Sequence, residues 1–375
     1  MAEPAASARH PRGEAGERRL TLPKDAPAPS SVGVRPGAES AASAPPALHM
    51  RAIIALVIGV SAGIWCHDYL VRNPQFFAAD FTFPWRAAGH LLAGRDPYQH
   101  MPRVREYAAA GPFPYPLTSA LIAAPFAGFR PQVAGGLFIG ISFALLAFGL
   151  TKARYWPLIT FLSAPLVLTL TTVQWSPLLL AAVLLPGLGW LGAAKPNLGV
   201  VAFVLYPQWS TLIVGGLLLA GAFFIIPQWP LEWLQHVRLA TLTYRPVAMW
   251  PLGAVGLLGL LRWRTFEGRV LAAMTLVPLA PFHYDHLFLW LVPRTWRQSL
   301  VLSACAWASV IAMLATTPHD LTRDARAVQA MLAAGMYLPA AIIVLRTPNV
   351  GPAPAWLQRI VRDWPRWLRG EQAEG

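Results

Sequence analysis

Apolar residues in this chain gather into runs separated by short breaks rich in Pro, Gly and Arg. Such runs fall near residues 51–70, 116–129, 133–151, 156–173, 176–192, 196–206, 209–226, 247–261, 269–282, 286–293, 298–316 and 330–346. A helix needs about 20 apolar residues to cross a bilayer, so the pattern predicts an all-α, polytopic bundle of about ten to twelve transmembrane spans. Several runs are shorter than the roughly 17 residues of a perpendicular crossing, which leaves the count open. Residues 1–48 hold Ala, Pro, Ser, Gly and Arg with almost no large apolar side chain and predict a disordered cytoplasmic tail. The domain expected to carry function is 49–346, followed by a cytoplasmic amphipathic tail over 347–375.

The longest polar break, 71–115, is predicted as the first external loop. It opens on Asp80 and carries the apolar stripe Trp85, Ala88, Leu91 and Leu92, the mark of a helix lying on the membrane surface. A second interfacial helix is expected around Pro230–Thr243. A third lies within Pro354–Arg369, where Trp356, Ile360, Trp364 and Trp367 alternate with Arg359, Arg362, Arg366 and Arg369. No fixed-period repeat and no Walker, Rossmann or zinc-protease motif is present.

Composition narrows the class. Hydrophobic residues are 55% and charged residues 13% of the chain, and its 16 Trp fit interfacial anchors of a membrane protein rather than a soluble core. The net charge of +13 comes from Arg residues spread over connectors, with no compact basic patch, so no nucleic-acid partner is expected. Those Arg residues act as topology signals: Arg51 places the N-terminus inside. Twelve spans then put Arg262, Arg264, Arg269, Arg294 and Arg297 on the same side and Asp80 outside. Lys152 and Arg154 fall on the wrong side, either an exception or the sign of a mis-assigned span. Cys66 and Cys305 suggest neither a disulfide framework nor a metal site.

Between residues 51 and 345 stand nine carboxylates: Asp68, Asp80, Asp96, Glu106, Glu232, Glu267, Asp285, Asp320 and Asp324. Asp80 sits between Phe76–Phe77 and Phe81, Phe83 and Trp85. A carboxylate in that apolar setting reads either as a helix N-cap ahead of Pro84 or as a functional acid. Arg86 and Arg95 follow on the same loop. Lys195, in Ala-Ala-Lys-Pro-Asn, interrupts an apolar region and either snorkels to headgroups or meets an anionic ligand. The quartet His283-Tyr284-Asp285-His286 offers too few ligands for a metal and reads as a substrate-binding cluster or a helix terminus.

The pattern Asp80-Phe81, Trp85, Ala87-Ala88, Leu91-Leu92, Gly94, Asp96-Pro97-Tyr98, then Phe113, Tyr115-Pro116 and the apolar run to Pro125, resembles the N-terminal signature of glycosyltransferase family 87. The family often has a second proline after the Tyr-Pro pair, where this chain has Leu117. The resemblance implies a GT-C type integral membrane enzyme of a bacterial plasma membrane, with its active site on the periplasmic or extracellular face. It would move a hexose, mannose foremost, from a polyprenyl-phosphate donor to a lipid or glycan acceptor. It further implies Asp80 as general base. Arg86, Arg95, Tyr98, Tyr115, Lys195, His283, Tyr284 and His286 become donor-phosphate or substrate-binding residues. Polyprenyl phosphate is already a good leaving group, so one base suffices, inversion follows, and neither metal nor cofactor is expected.

A reading of a different class is a noncatalytic flippase or transporter of lipid-linked sugars. It predicts paired charges inside spans and inverted repeats, neither of which is legible in the sequence.

Overall fold

In the computed structural model the described residues are 45–101, 113–239, 252–316 and 325–351. The expected N-terminal tail up to residue 44, the C-terminal amphipathic helix, Glu106, Asp320 and Asp324 lie outside them. All described residues belong to the unit Ala44–Gly375, and none forms a strand.

Helix α1, Leu48–Arg72, is long enough to cross a bilayer. Its buried positions Ala55, Gly59, Ala62, Cys66 and Leu70 recur at three- and four-residue spacing and form one stripe. Ile53, Leu56, Val57, Val60 and Ile64 cover the other side and are each more than half exposed, a surface that lipid tolerates and water does not. The loop predicted as external follows, with α2 (Thr82–Leu92) and the single turn α3 (Pro97–His100), then the short α4 (Leu117–Ala123). Helix α5, Pro131–Leu150, returns along α1. Here small residues set the distance: a Cβ on Gly59 would stand 2.6 Å from the Gly140 carbonyl oxygen, and one on Gly136 would stand 2.9 Å from that of Gly63. Backbones this close are the small-residue packing of membrane helices.

Beyond α5 the pattern of long spans breaks down. The runs at 156–173, 176–192 and 196–206 become a 3-10 segment Trp156–Leu162, α6 (Ala164–Thr172), α7 (Ser176–Leu184), a 3-10 segment Gly189–Ala194 and α8 (Pro196–Leu205). Prolines explain the segmentation, because Pro157, Pro165, Pro177 and Pro196 each stand in the first turn of a new element, where the missing N–H costs nothing. Helix α9 (Trp209–Ile225) bends by 97° into α10 (Trp229–Leu239). The latter covers the described part, up to Leu239, of the stretch Pro230–Thr243 expected as a second interfacial helix, and it packs on the loop between α1 and α4, Trp233 donating to the Pro114 carbonyl and Gln99 to Glu232.

A 3-10 segment Leu252–Arg262, α11 (Phe266–Leu276) and a 3-10 segment His283–Leu291 stand where three further spans were expected. The chain then runs through α12 (Trp296–Thr316), α13 (Ala325–Leu332), a π-helical turn Ala333–Tyr337 and α14 (Leu338–Leu345). Instead of ten to twelve spans, the described residues contain four helices of sufficient length, α1, α5, α12 and Arg326–Leu345, or five with the bent pair α9–α10. Hydropathy registers burial inside protein and burial in lipid alike, so short apolar segments packed in the interior were counted as crossings.

One correction improves the charge pattern. Arg51 donates to the Phe148 carbonyl (2.8 Å) and stacks over the Phe148 ring at 4.2 Å, so the start of α1 and the end of α5 share one end of the molecule. The predicted span at 116–129 is broken into α4 and a 3-10 turn, Ala124–Phe126, and α5 is the next long helix after α1. Lys152 and Arg154 therefore fall with Arg51, and the exception to the positive-inside rule disappears.

Candidate functional site

The residue Asp80 stands on a strained arm. Helix α1 ends at Asn73, whose side-chain amide donates to the Tyr69 carbonyl at 2.8 Å. A 3-10 turn, Pro74–Phe76, then leads to Phe77 (φ 52°) and Ala79 (φ 47°), both left-handed although neither is glycine. Buried Ala78 lies against Gly135 of α5 and donates its N–H to Thr82 Oγ1 at 2.9 Å, which ties the arm to the spanning pair. Phe81, fully buried, stacks on Phe138 at 4.1 Å between ring centres. Asp80 is not the N-cap of α2: that position is Phe81, with no side-chain cap.

A second strained arm meets the first. Helix α6 ends on Val173 at φ 48°, a left-handed β-branched residue, and the chain turns through Gln174 and Trp175 into α7. Phe77, Ala79 and Val173 are the non-glycine residues of positive φ among the described residues, and all three flank the point where Gln174 Nε2 donates to Asp80 Oδ2. Each such conformation costs on the order of 1–3 kcal/mol and persists only where the surroundings over-determine it. Strain of this kind concentrates at functional sites.

Two further segments complete the cluster. The Tyr284 hydroxyl bonds to the Asp80 carboxylate, and Lys195 is ion-paired with Asp285, their side chains 12% and 1% exposed. Lys195 precedes Pro196, which forces it out of helical backbone and sets it at the mouth of α8. Asn197 then donates to the Pro278 carbonyl (2.8 Å), drawing that mouth to the 278–285 segment. From the other side, Thr118 of α4 donates to the Ala193 carbonyl at 2.6 Å. Burial pushes the Asp80 carboxyl up to about 6, against the Gln174 hydrogen bond and the field of Lys195, which hold it down; Asp285 adds to the rise. The site thus contains one ammonium and two carboxylates, one of which, Asp80, is a base poised near neutral pH.

The loop stretch and the His-Tyr-Asp-His quartet, far apart in sequence, therefore meet, but through Tyr284 and Asp285. In a 3-10 helix residues i and i+3 eclipse, so His283 and His286 share another edge. His283 Nε2 pairs with Ser309 Oγ of α12, and His286 Nδ1 lies 2.8 Å from the Tyr337 hydroxyl, which donates to the Met274 carbonyl at 3.2 Å. Tyr115 lies within electrostatic reach of Tyr284 and packs on Phe83 and Phe113. Tyr98 stands one layer back, donating its hydroxyl to the Tyr115 carbonyl at 2.9 Å. Trp233 of α10 secures the same strand of chain through the Pro114 carbonyl (3.0 Å). Arg86 and exposed Arg95 group with His90 and His100 rather than with Asp80, so the cation whose field reaches Asp80 is Lys195.

Among the described residues no cluster of three or more His, Cys, Asp or Glu could hold a metal. Sequence reasoning passed over Gln174 and Trp175. Their signal was a lone amide, flanked by Val173 and Trp175, between the apolar halves of 166–183. Comparison with family models, with curated proteins and with solved structures gives no match.

Proposed function

We propose that the protein is an inverting, membrane-embedded glycosyltransferase in which Asp80 is the general base and a polyprenyl-phosphate hexose the donor. The observation that carries the reading is the Asp80 carboxylate, raised to about 6 and fixed by Gln174 and Tyr284 from two distant segments, beside the buried Lys195–Asp285 pair. A base with this value is largely ionised at neutral pH yet still a competent proton acceptor. The acceptor oxygen attacks the sugar C1 from the face opposite the phosphate and its proton passes to Asp80. The bond from C1 to the phosphate oxygen breaks, and its electron pair leaves on the phosphate. Charge growing on that oxygen is met by Lys195, whose ammonium lies in a partly dehydrated setting where each interaction is stronger than in water. The similarity of residues 80–125 to glycosyltransferase family 87 points the same way, and with it a site on the outer face of a bacterial plasma membrane. Under this reading Arg86 and Arg95 serve headgroups at the rim, and His283 and His286 hold the site's far wall.

One observation favours a second reading. The Lys195–Asp285 pair is a buried charge pair of the kind a flippase or transporter of lipid-linked sugars uses, here held in short segments between the long helices. Purified protein with a radiolabelled polyprenyl-phosphate hexose and membrane lipid extract separates the two. Transfer that collapses in Asp80→Asn supports the enzyme; lipid-sugar movement across vesicles with no glycosyl product supports the transporter.

A further inference from the structure

The Asp80 carboxyl has two protonation states, and the amide beside it is equipped for both. Gln174 is fully buried on the arm between α6 and α7. Its Nε2 donates to Asp80 Oδ2, while its own Oε1, equally enclosed, bonds to nothing among the described residues. An ionised carboxylate only accepts, so the N–H end of the amide is the end it requires. Once protonated, the same carboxyl carries a hydrogen of its own, and a buried donor without an acceptor forfeits its solvation for nothing.

The groups that face Asp80 limit where that hydrogen can go. Lys195, at the mouth of α8, is an ammonium with only donors and is ion-paired with Asp285. Asp285 holds that ammonium through Oδ1 and turns Oδ2 towards the Ala280 N–H. The Tyr284 hydroxyl already bonds to Asp80, and as an acceptor it would keep a hydrogen in need of a new partner; Tyr115 stands beyond it. The idle oxygen of Gln174 is the acceptor that costs no other bond. A half-turn about the last torsion of the side chain, which is broad and roughly two-fold, brings Oε1 to the carboxyl in place of Nε2 and leaves the shape of the amide almost unchanged. We infer that Gln174 is a positioning residue that follows the proton on Asp80, donating from Nε2 to the ionised carboxylate and, after a half-turn, accepting at Oε1 from the protonated carboxyl. The base is then held in one place through both states, by an arm whose backbone is set by left-handed Val173. Only the source of the proton, the acceptor oxygen, rests on the transferase reading; the half-turn requires protonation by any route.

The test is acid-minus-neutral difference infrared spectroscopy of the full chain in lipid nanodiscs, with glutamine isotope-labelled at the side-chain carbonyl. The Gln174 band is assigned by its loss in Gln174→Met, which is close in volume but apolar. If that variant does not fold, Asp80→Asn serves as the reference, because its amide has no proton to gain. The expected result is that the Gln174 carbonyl stretch, unbonded at neutral pH, falls to lower wavenumber as the Asp80 carboxyl band appears, with the same midpoint, and that both changes are absent in Asp80→Asn. An amide with a purely structural role would show no such coupled shift. A carbonyl band that stays fixed while Asp80 titrates, or that moves just as far in Asp80→Asn, overturns the inference. A coupled shift in protein that transfers no sugar leaves the half-turn standing and removes the transferase reading; transfer that is lost in Asp80→Asn, with a fixed carbonyl band, does the reverse.

Discussion

Along the α1–α5 seam, Gly59 and Gly63 meet Gly140 and Gly136 with backbones touching, apolar side chains on both flanks, and regular helical geometry throughout. At the end of the same pair opposite Arg51, Ala79 and Val173 hold left-handed backbone, a carboxylate and an ion pair are buried, and an amide oxygen and an indole N–H are unmatched. The seam spends nothing on strain, and its sequence follows directly from close packing. The Asp80 site departs from each local rule at once, and departures that coincide in space are the physical mark of a site maintained for its chemistry.

The contrast can be broken most sharply at Asp80. In the site, Asp80→Asn changes a carboxylate for an amide of the same size, so sugar transfer should fall by about 10²–10⁴-fold while yield and thermal stability persist. Loss of folding instead would make Asp80 a structural residue. Next in size, Lys195→Met leaves the Asp285 carboxylate buried and unpaired, with an expected cost of about 3–5 kcal/mol. Adding Asp285→Asn should recover most of that loss in thermal unfolding, and additive effects would show that the two groups do not interact.

The seam gives a smaller effect of a different kind. Gly136→Ala forces a Cβ to within 2.9 Å of the Gly63 carbonyl oxygen, so destabilisation of about 1–3 kcal/mol is expected, with transfer activity per folded molecule retained. Smallest is a gain: Ala79→Gly removes the left-handed penalty and should stabilise by about 1 kcal/mol. An equal or larger loss from that substitution would mean the arm is not strained.

How much of this was legible in the sequence depended on the kind of signal. Asp80 stood out because a carboxylate among phenylalanines is improbable without a purpose, and the helix α2 was visible in its periodic apolar positions. Even so, the buried line runs through Pro84, Ala87 and Ala88, leaving Leu92 of the predicted stripe 71% exposed. The span count was not legible, since Pro157, Pro165, Pro177 and Pro196 cut apolar runs whose hydropathy is unaffected by the cut. Nor was the pairing of Lys195 with Asp285, which depends on contacts 90 residues apart. Within the quartet, a 3-10 rather than an α-helical period decides that Tyr284 and Asp285 face the site. Helix type is not written in four residues.

Ionisation of Asp80 is the central claim and can be followed without turnover. Its value is raised from 3.8 to about 6, so the protonated form is favoured by folding: stability linked to this group is complete below about pH 4 and is lost as pH rises through about 6. Difference infrared spectroscopy of the folded protein, wild type minus Asp80→Asn, isolates that one carboxyl. The account predicts a band titrating near pH 6, with transfer activity rising over the same interval. Titration near pH 4, or activity that rises without regard to this band, would contradict it.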